Sequence, residues 1–318
     1  MQTYIVLIAC VVLLLCLFFR VPVYISVFAA ALTYFLFQTG SSPAIIAQRI
    51  GGGIQSIPLL AIPFFICAGI FMNSSGVTKR IMNFCNVVTK RMTGGLGQVN
   101  VLLSTLMEAK ILVPEMEEKG YSKEFSSVLT ATSAMITPLI PPGIGMILYG
   151  SIANVSIGKL FVAGIGIGVL LCISLMIMVH FISKKRGYQP ATKEKQDPEE
   201  VKSAVKQAIL PLCLPILIIG GIRIGIVTPT EAGTVAIVYA LILGIIYKEL
   251  KMSDVVDGLK ESVATTASIM MIVGGASAFA WVLTKERIPQ QLTEVITSNI
   301  SNKYVFLIIV ILFLLVVG

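Results

Sequence analysis

The sequence predicts an all-α polytopic membrane protein arranged as two inverted-topology repeats, and three observations carry that prediction. Apolar residues make up 56% of the chain and charged residues 13%, with a mean hydropathy of +0.92, far outside the range of soluble domains. The charges cluster, leaving charge-free runs at 1–19, 21–48, 50–78, 125–158, 160–183, 208–222, 232–247 and 262–284. The order and hydropathy of the early segments also recur after an offset of a little over two hundred residues.

Taken in order, residues 1–19 lack a basic leader and a small-residue cleavage site, and Arg20-Val-Pro leads directly into more apolar sequence. They are read as a retained helix, followed by a second at 21–37. An amphipathic segment at 44–54 precedes a third spanning helix at 57–73. The stretch "GVTKRIMNFCNVVTKRMTGG", with Lys79, Arg80, Lys90 and Arg91, is the first basic loop. A partial hairpin is expected at 96–118, a broken helix at 125–150 and a helix at 160–183. The last would reach roughly 36 Å, enough to cross a hydrocarbon core of roughly 30 Å with some tilt.

A linker at 184–206 carries seven Lys or Arg and closes the first repeat, 1–183. The second repeat, 207–318, repeats the order: helices at 208–222 and 231–247, an amphipathic segment at 251–263 and an apolar run at 264–283. There "VLTKERIPQQLTEVI" aligns with "GVTKRIMNFCNVV", and the apolar entry at 304–318 matches 97–107. The positive-inside rule puts both basic loops in the cytoplasm. Three crossings before residue 74 then place the N-terminus outside, whereas the second half starts inside. Inverted repeats of this kind are a transporter signature, because two related conformations can present one central site to either face in turn.

Several function classes have little to build on. The basic balance of +8 resides in short loops between apolar runs, so nucleic acid is not implied. The six cysteines show no metal or redox spacing and read as small apolar fillers. His180 is the single histidine, which disfavours a transition-metal site or a Ser-His triad. Paired aspartates are absent from the apolar runs, so an intramembrane enzyme is disfavoured too.

The chemistry-bearing stretch is "SSVLTATSAMITPLIPPGIGMILYGSIANVSIGKL", free of charge until Lys159 and interrupted by Pro138, Pro141, Pro142, Gly143 and Gly145. Each proline removes an N–H and leaves the carbonyl about a turn earlier without its helical partner. Glycine permits close backbone approach. Thr130, Thr132, Ser133 and Thr137 add hydroxyls just before the break. The alternative is an ordinary proline kink with hydroxyls bonded back to the preceding turn; four Ser or Thr ahead of three prolines favour cation or substrate ligands. Glu231 in "VTPTEAGT" is read as a helix-start residue in preference to a coupling carboxylate.

The segments "SIPLLAIPFFICAGIFMNSSGVTKRI", "TGGLGQVNVLLS", "PLIPPGIGMILYG" and "GIVTPTEAGTVAIVYALI" closely resemble, in order, the large membrane subunit of the tripartite ATP-independent periplasmic (TRAP) transporters. The resemblance covers most of the chain. It implies an elevator-type, sodium-driven importer of organic anions in the bacterial inner membrane, with Na+ as coupling ion and no organic cofactor. It also implies two re-entrant hairpins, a small TRAP membrane subunit and a periplasmic substrate-binding protein as partners, and surrounding membrane lipids. Sialic acid is favoured over a C4-dicarboxylate on overall resemblance; a stand-alone inverted-repeat anion exchanger or symporter is the alternative.

Two departures from the family are expected. Relatives carry a small-residue hairpin tip between segments that here join directly at "LMEAKIL", so Glu108 and Lys110 should belong to the return arm near the cytoplasmic interface. At the other end, "YVFLIIVILFLLVVG" stops at Gly318 within what should be the inward arm of the second hairpin, leaving the second repeat incomplete. Ser104, entering the first tip, is a sodium-site neighbour by resemblance, while its own spacing equally suits a helix hydroxyl bonded to the preceding turn.

Overall fold

A computed structural model describes residues 2–38, 43–106, 112–188, 190, 197–300 and 302–317, and every regular element among them is helical. Glu108 and Lys110 lie outside the described residues. Among the described residues, five helices are long and apolar enough to cross a membrane, and a sixth span is added if a helix pair bent by 47° counts as one. The chain is an all-α polytopic membrane protein.

The helices are α1 (Gln2–Phe18), α2 (Val23–Phe37), α3 (Pro43–Ile54), α4 (Ala61–Ser74), α5 (Val77–Thr89), α6 (Gly95–Leu106), α7 (Leu112–Glu118) and α8 (Lys123–Ala134). They continue with α9 (Ile144–Ile152), α10 (Ile157–Arg186), α11 (Pro198–Ile224), α12 (Pro229–Tyr247), α13 (Met252–Lys285), α14 (Ile288–Asn299) and α15 (Lys303–Val317). Single 3-10 turns, Ile57–Leu60 and Thr137–Leu139, precede α4 and follow α8. At 17 and 15 residues, α1 and α2 are shorter than the roughly 20 residues of an untilted span.

Two expectations need correction. The linker expected at 184–206 is shorter, because α10 runs on to Arg186 and α11 begins at Pro198. Asp197 caps that start, accepting the Glu199 N–H at 3.0 Å, and Pro198 at the first position gives up no needed hydrogen bond. The amphipathic 251–263 and apolar 264–283 segments form one 34-residue helix, α13, whereas their counterparts in the first half are α3 and α4, separated by the 3-10 turn at Ile57–Leu60. Pro58 and Pro63 interrupt the first-half ladder, and the second half has no proline between Lys251 and Lys285.

The chain forms two compact units that do not follow its two halves: Met1–Gln55 with Ala267–Gly318, and Ser56–Thr266. In the first unit Val6, Ala9, Tyr34, Phe35 and Val282 are buried together, Trp281 stacks on Phe35 at 5.5 Å, and the Tyr34 hydroxyl donates to Glu286. The second unit holds the broken helix. Its α12 turns a stripe of small buried residues, Ala232, Ala236 and Ala240, inward at helical spacing, and a Cβ on Gly233 would come within 2.7 Å of Phe64 Cβ on α4. Small residues let helix backbones approach where lipid offers no hydrophobic drive.

In the same unit Arg80 ties two turns together. Its guanidinium donates to the Gly76 carbonyl at 2.9 Å and to Glu249 Oε1 at 2.8 Å, and lies 3.6 Å from the centre of the Tyr247 ring. The bond from Arg80 holds the Glu249 carboxyl below its ordinary value. Gly76 stands at φ +77°, which an L side chain rarely adopts, and a Cβ there would meet Glu249 at 2.2 Å.

Candidate functional site

Helix α8 starts where Ser122 accepts the Phe125 N–H at 3.3 Å, with Glu124 in its first turn. Ser126, Thr130, Ser133 and Thr137 follow at spacings of four, three and four, so the helical period puts them on one face. On α6, Asn100 and Ser104 are one turn apart and both fully or almost fully buried, at 0% and 1% exposure. The two faces meet.

The Asn100 carboxamide is the centre of the contact. Its Nδ2 donates to Thr130 Oγ1 at 2.8 Å and reaches Met116 Sδ at 3.6 Å, while its Oδ1 accepts from the Ser133 hydroxyl at 2.9 Å. Ser133 Oγ also lies 2.9 Å from Ser104 Oγ and 3.1 Å from the Thr130 carbonyl. Thr130 passes its own hydrogen to the Ser126 carbonyl at 2.8 Å, and Thr137 donates to the Ser104 carbonyl at 2.7 Å. Ser104, Thr130, Ser133 and Thr137 thus form one neutral network with Asn100.

Immediately beyond it the helix breaks. Pro138 has no N–H for the Ala134 carbonyl, and the chain tightens into the 3-10 turn at Thr137–Leu139 before α9 resumes after a cis Pro141-Pro142 bond. Gly143 is required by space: a Cβ there would lie 2.1 Å from the Pro138 carbonyl oxygen. Helix α10 seats the break with two glycines one turn apart. A Cβ on Gly164 would meet the Leu139 carbonyl oxygen at 2.5 Å, and one on Gly168 the Ile140 side chain at 2.5 Å. Farther along, Gln98 anchors α6 to α10 by donating to the Met176 carbonyl at 2.9 Å.

Two of the expected site residues stand apart. Thr132 lies off the polar face and bonds back to the Val128 carbonyl at 2.8 Å, the ordinary use of a hydroxyl in a membrane helix. Gly145 is exposed, and a Cβ there would touch nothing. Glu231 is a helix-start residue: with Thr228 it forms a reciprocal capping box at the head of α12. Sequence reasoning missed Asn100, Gly164 and Gly168. The signals were an amide one turn before Ser104 in an otherwise apolar run, and two glycines at i and i+4. Cavities of about 970 and 670 Å³ occur elsewhere, the first lined by Arg49, Gly52 and Trp281 and the second by Ser56, Asn154 and Thr228; the network lines neither.

A family profile described as the DctM component of the tripartite ATP-independent periplasmic transporter matches residues 10–318. This chain belongs to that family. It is a TRAP transporter large membrane subunit. The sialic acid TRAP transporter large permease protein SiaM of Vibrio cholerae is 38% identical over 95% of this chain and 74% of its own length. The sialic acid TRAP transporter permease protein SiaT of Haemophilus influenzae is 35% identical over 98% of this chain, which spans 52% of that relative. The C4-dicarboxylate TRAP transporter large permease protein DctM of Pseudomonas aeruginosa is 33% identical over 91% of this chain and 70% of its own length. Within this TRAP subunit, the Asn100 network lies against the bent pair formed by α8 with its 3-10 turn and by α9.

Proposed function

We propose that this TRAP subunit belongs to a sodium-coupled elevator-type importer of an anionic organic acid, with sialic acid as substrate. The importer resides in the bacterial inner membrane with the N-terminus periplasmic. It takes substrate from a periplasmic binding protein, works beside a small membrane subunit and moves by exchange between inverted repeats. The observation that carries the sodium reading is the Asn100 network at the proline break, where neutral hydroxyl and carbonyl oxygens of the described residues gather. Sodium is a hard cation that prefers oxygen ligands, and such oxygens bind it without burying a charge. Ser104 and Thr137 with the carbonyls of the break are the ligands; Thr130 and Ser133 support them.

The sialic acid relatives, which align over nearly all of this chain, support the substrate choice. The test is uptake by the full transporter with its partners in proteoliposomes. Labelled sialic acid should enter only with sodium and the binding protein, and excess C4-dicarboxylate should not compete. Unchanged uptake with choline in place of sodium sinks the coupling, and preferential uptake of the dicarboxylate sinks the substrate.

A further inference from the structure

We infer that Asn100 is a positioning residue that draws the Ser133 hydrogen away from Ser104 and so leaves the Ser104 hydroxyl oxygen free to bind a cation. This deepens the sodium reading above and rests on it.

The orientation of the amide follows from hydrogen accounting alone. Thr130 gives its single hydroxyl hydrogen to the Ser126 carbonyl at 2.8 Å, so toward Asn100 it can only accept. The Asn100 group facing Thr130 at 2.8 Å must therefore be the NH2, and the neighbouring Met116 sulfur, an acceptor, agrees. The carbonyl oxygen is left facing Ser133.

Ser133 has one hydrogen and three acceptors within reach: Asn100 Oδ1 at 2.9 Å, Ser104 Oγ at 2.9 Å and the Thr130 carbonyl at 3.1 Å. The amide oxygen is the strongest claimant of the side-chain pair. It carries more negative charge than a hydroxyl oxygen, it is polarised by the chain running through Thr130 to Ser126, and it is buried at 0% exposure, where an unpaired acceptor is costly. With the hydrogen on Asn100, both lone pairs of Ser104 Oγ stay available. Beside it, Thr137 has spent its hydrogen on the Ser104 carbonyl at 2.7 Å, so its oxygen offers lone pairs only. The two hydroxyl oxygens thereby keep lone pairs for a cation.

If Asn100 is replaced by Leu, the Ser133 hydrogen is shared between Ser104 Oγ at 2.9 Å and the Thr130 carbonyl at 3.1 Å, and wherever it turns to Ser104 it occupies one of those lone pairs. Sodium-dependent thermal stabilisation of the full-length protein in detergent reads this directly, with sodium chloride titrated against choline chloride. Asn100→Leu should raise the half-maximal sodium concentration roughly 3- to 10-fold, the equivalent of one hydrogen bond's worth of competition. Asn100→Asp, which keeps an acceptor for Ser133, should stay within about twofold of wild type or bind more tightly. In a Ser104→Ala background Asn100→Leu should add little, because the two act in series.

A variant that avoids the bulk of leucine is Asn100→Ala, which removes the same acceptor. It should share the raised sodium requirement of Asn100→Leu. The inference is overturned if Asn100→Leu matches wild type, if Asp and Leu at position 100 are equally impaired, if Leu adds its full effect without Ser104, or if Asn100→Ala keeps wild-type sodium dependence. In each of those cases wild type still responds to sodium and the sodium reading stands. A wild-type protein that is folded and indifferent to sodium removes that reading, and the role of Asn100 with it.

Discussion

Replacing Gly164 by Ala should disturb the proline break from behind. The added Cβ would lie 2.2 Å from Met146 Cε and 2.5 Å from the Leu139 carbonyl oxygen. The methionine end can swing aside. The carbonyl belongs to the backbone of the break, and since carbon and oxygen settle about 3.3 Å apart, it must retreat by about 0.8 Å. Overpacking of this kind costs about 1–3 kcal/mol, against about 1 kcal/mol gained from the better helix propensity of Ala. Gly166, two residues on in α10, supplies the control, because a Cβ there meets nothing within 4 Å. Gly166→Ala should keep the propensity gain, and Gly164→Ala should fall below it by about 1–3 kcal/mol. Gly168→Ala should lie between, its contact being the flexible end of Ile140. Thermal unfolding of the three purified variants in detergent gives the order, and a sodium titration of each shows whether the displaced carbonyl matters: only Gly164→Ala should need more sodium. A Gly164→Ala protein as stable as Gly166→Ala, with unchanged sodium dependence, would refute the reasoning.

Other outcomes can be checked with the same preparations. Pro141→Ala with Pro142→Ala should let the helix bond its own carbonyls and raise the sodium needed for half-maximal uptake; wild-type dependence at normal expression would reduce the break to a bend. Thr137→Val should weaken sodium dependence and Thr132→Val should not, which sodium titration of uptake distinguishes. Because Arg80 lowers the Glu249 pKa, its stabilisation is present above the ordinary glutamate value and is lost as pH falls through the depressed folded value. Melting temperature should therefore drop more steeply with acidification in wild type than in Arg80→Ala. An impermeant thiol reagent added to intact cells should miss cysteines introduced at Lys90 and Lys184 in a cysteine-free background, and strong labelling at either would reverse the proposed orientation.

Much of the site was legible because proline chemistry is local. Pro138, Pro141 and Pro142 announce a broken ladder whatever surrounds them, and the break lies where they stand. Which hydroxyls serve it was less plain, since composition alone counts Thr132 with its neighbours. The helical period separates them: 130, 133 and 137 share a face and 132 does not. Asn100 was overlooked because an amide in an apolar run gains meaning only once α6 is known to lie against α8. Gly164 and Gly168 were hidden for the same reason. The short linker was a different failure, for Asp197-Pro198-Glu199-Glu200 is a helix-start pattern that a run of lysines obscured. The continuity of α13 follows from an absence of prolines that hydropathy comparison with the first half did not weigh.

The network around Asn100 is made of an amide, hydroxyls, a thioether and peptide carbonyls, and so carries no charge of its own. A vacant site of that kind feels no net force from an electric field across the bilayer. Once it holds a monovalent cation, displacement across the full field is worth about 2.3 kcal/mol per 100 mV. On the proposed sodium coupling, membrane voltage would act on the loaded network and not on the empty one, without any side chain of the network having to change its proton.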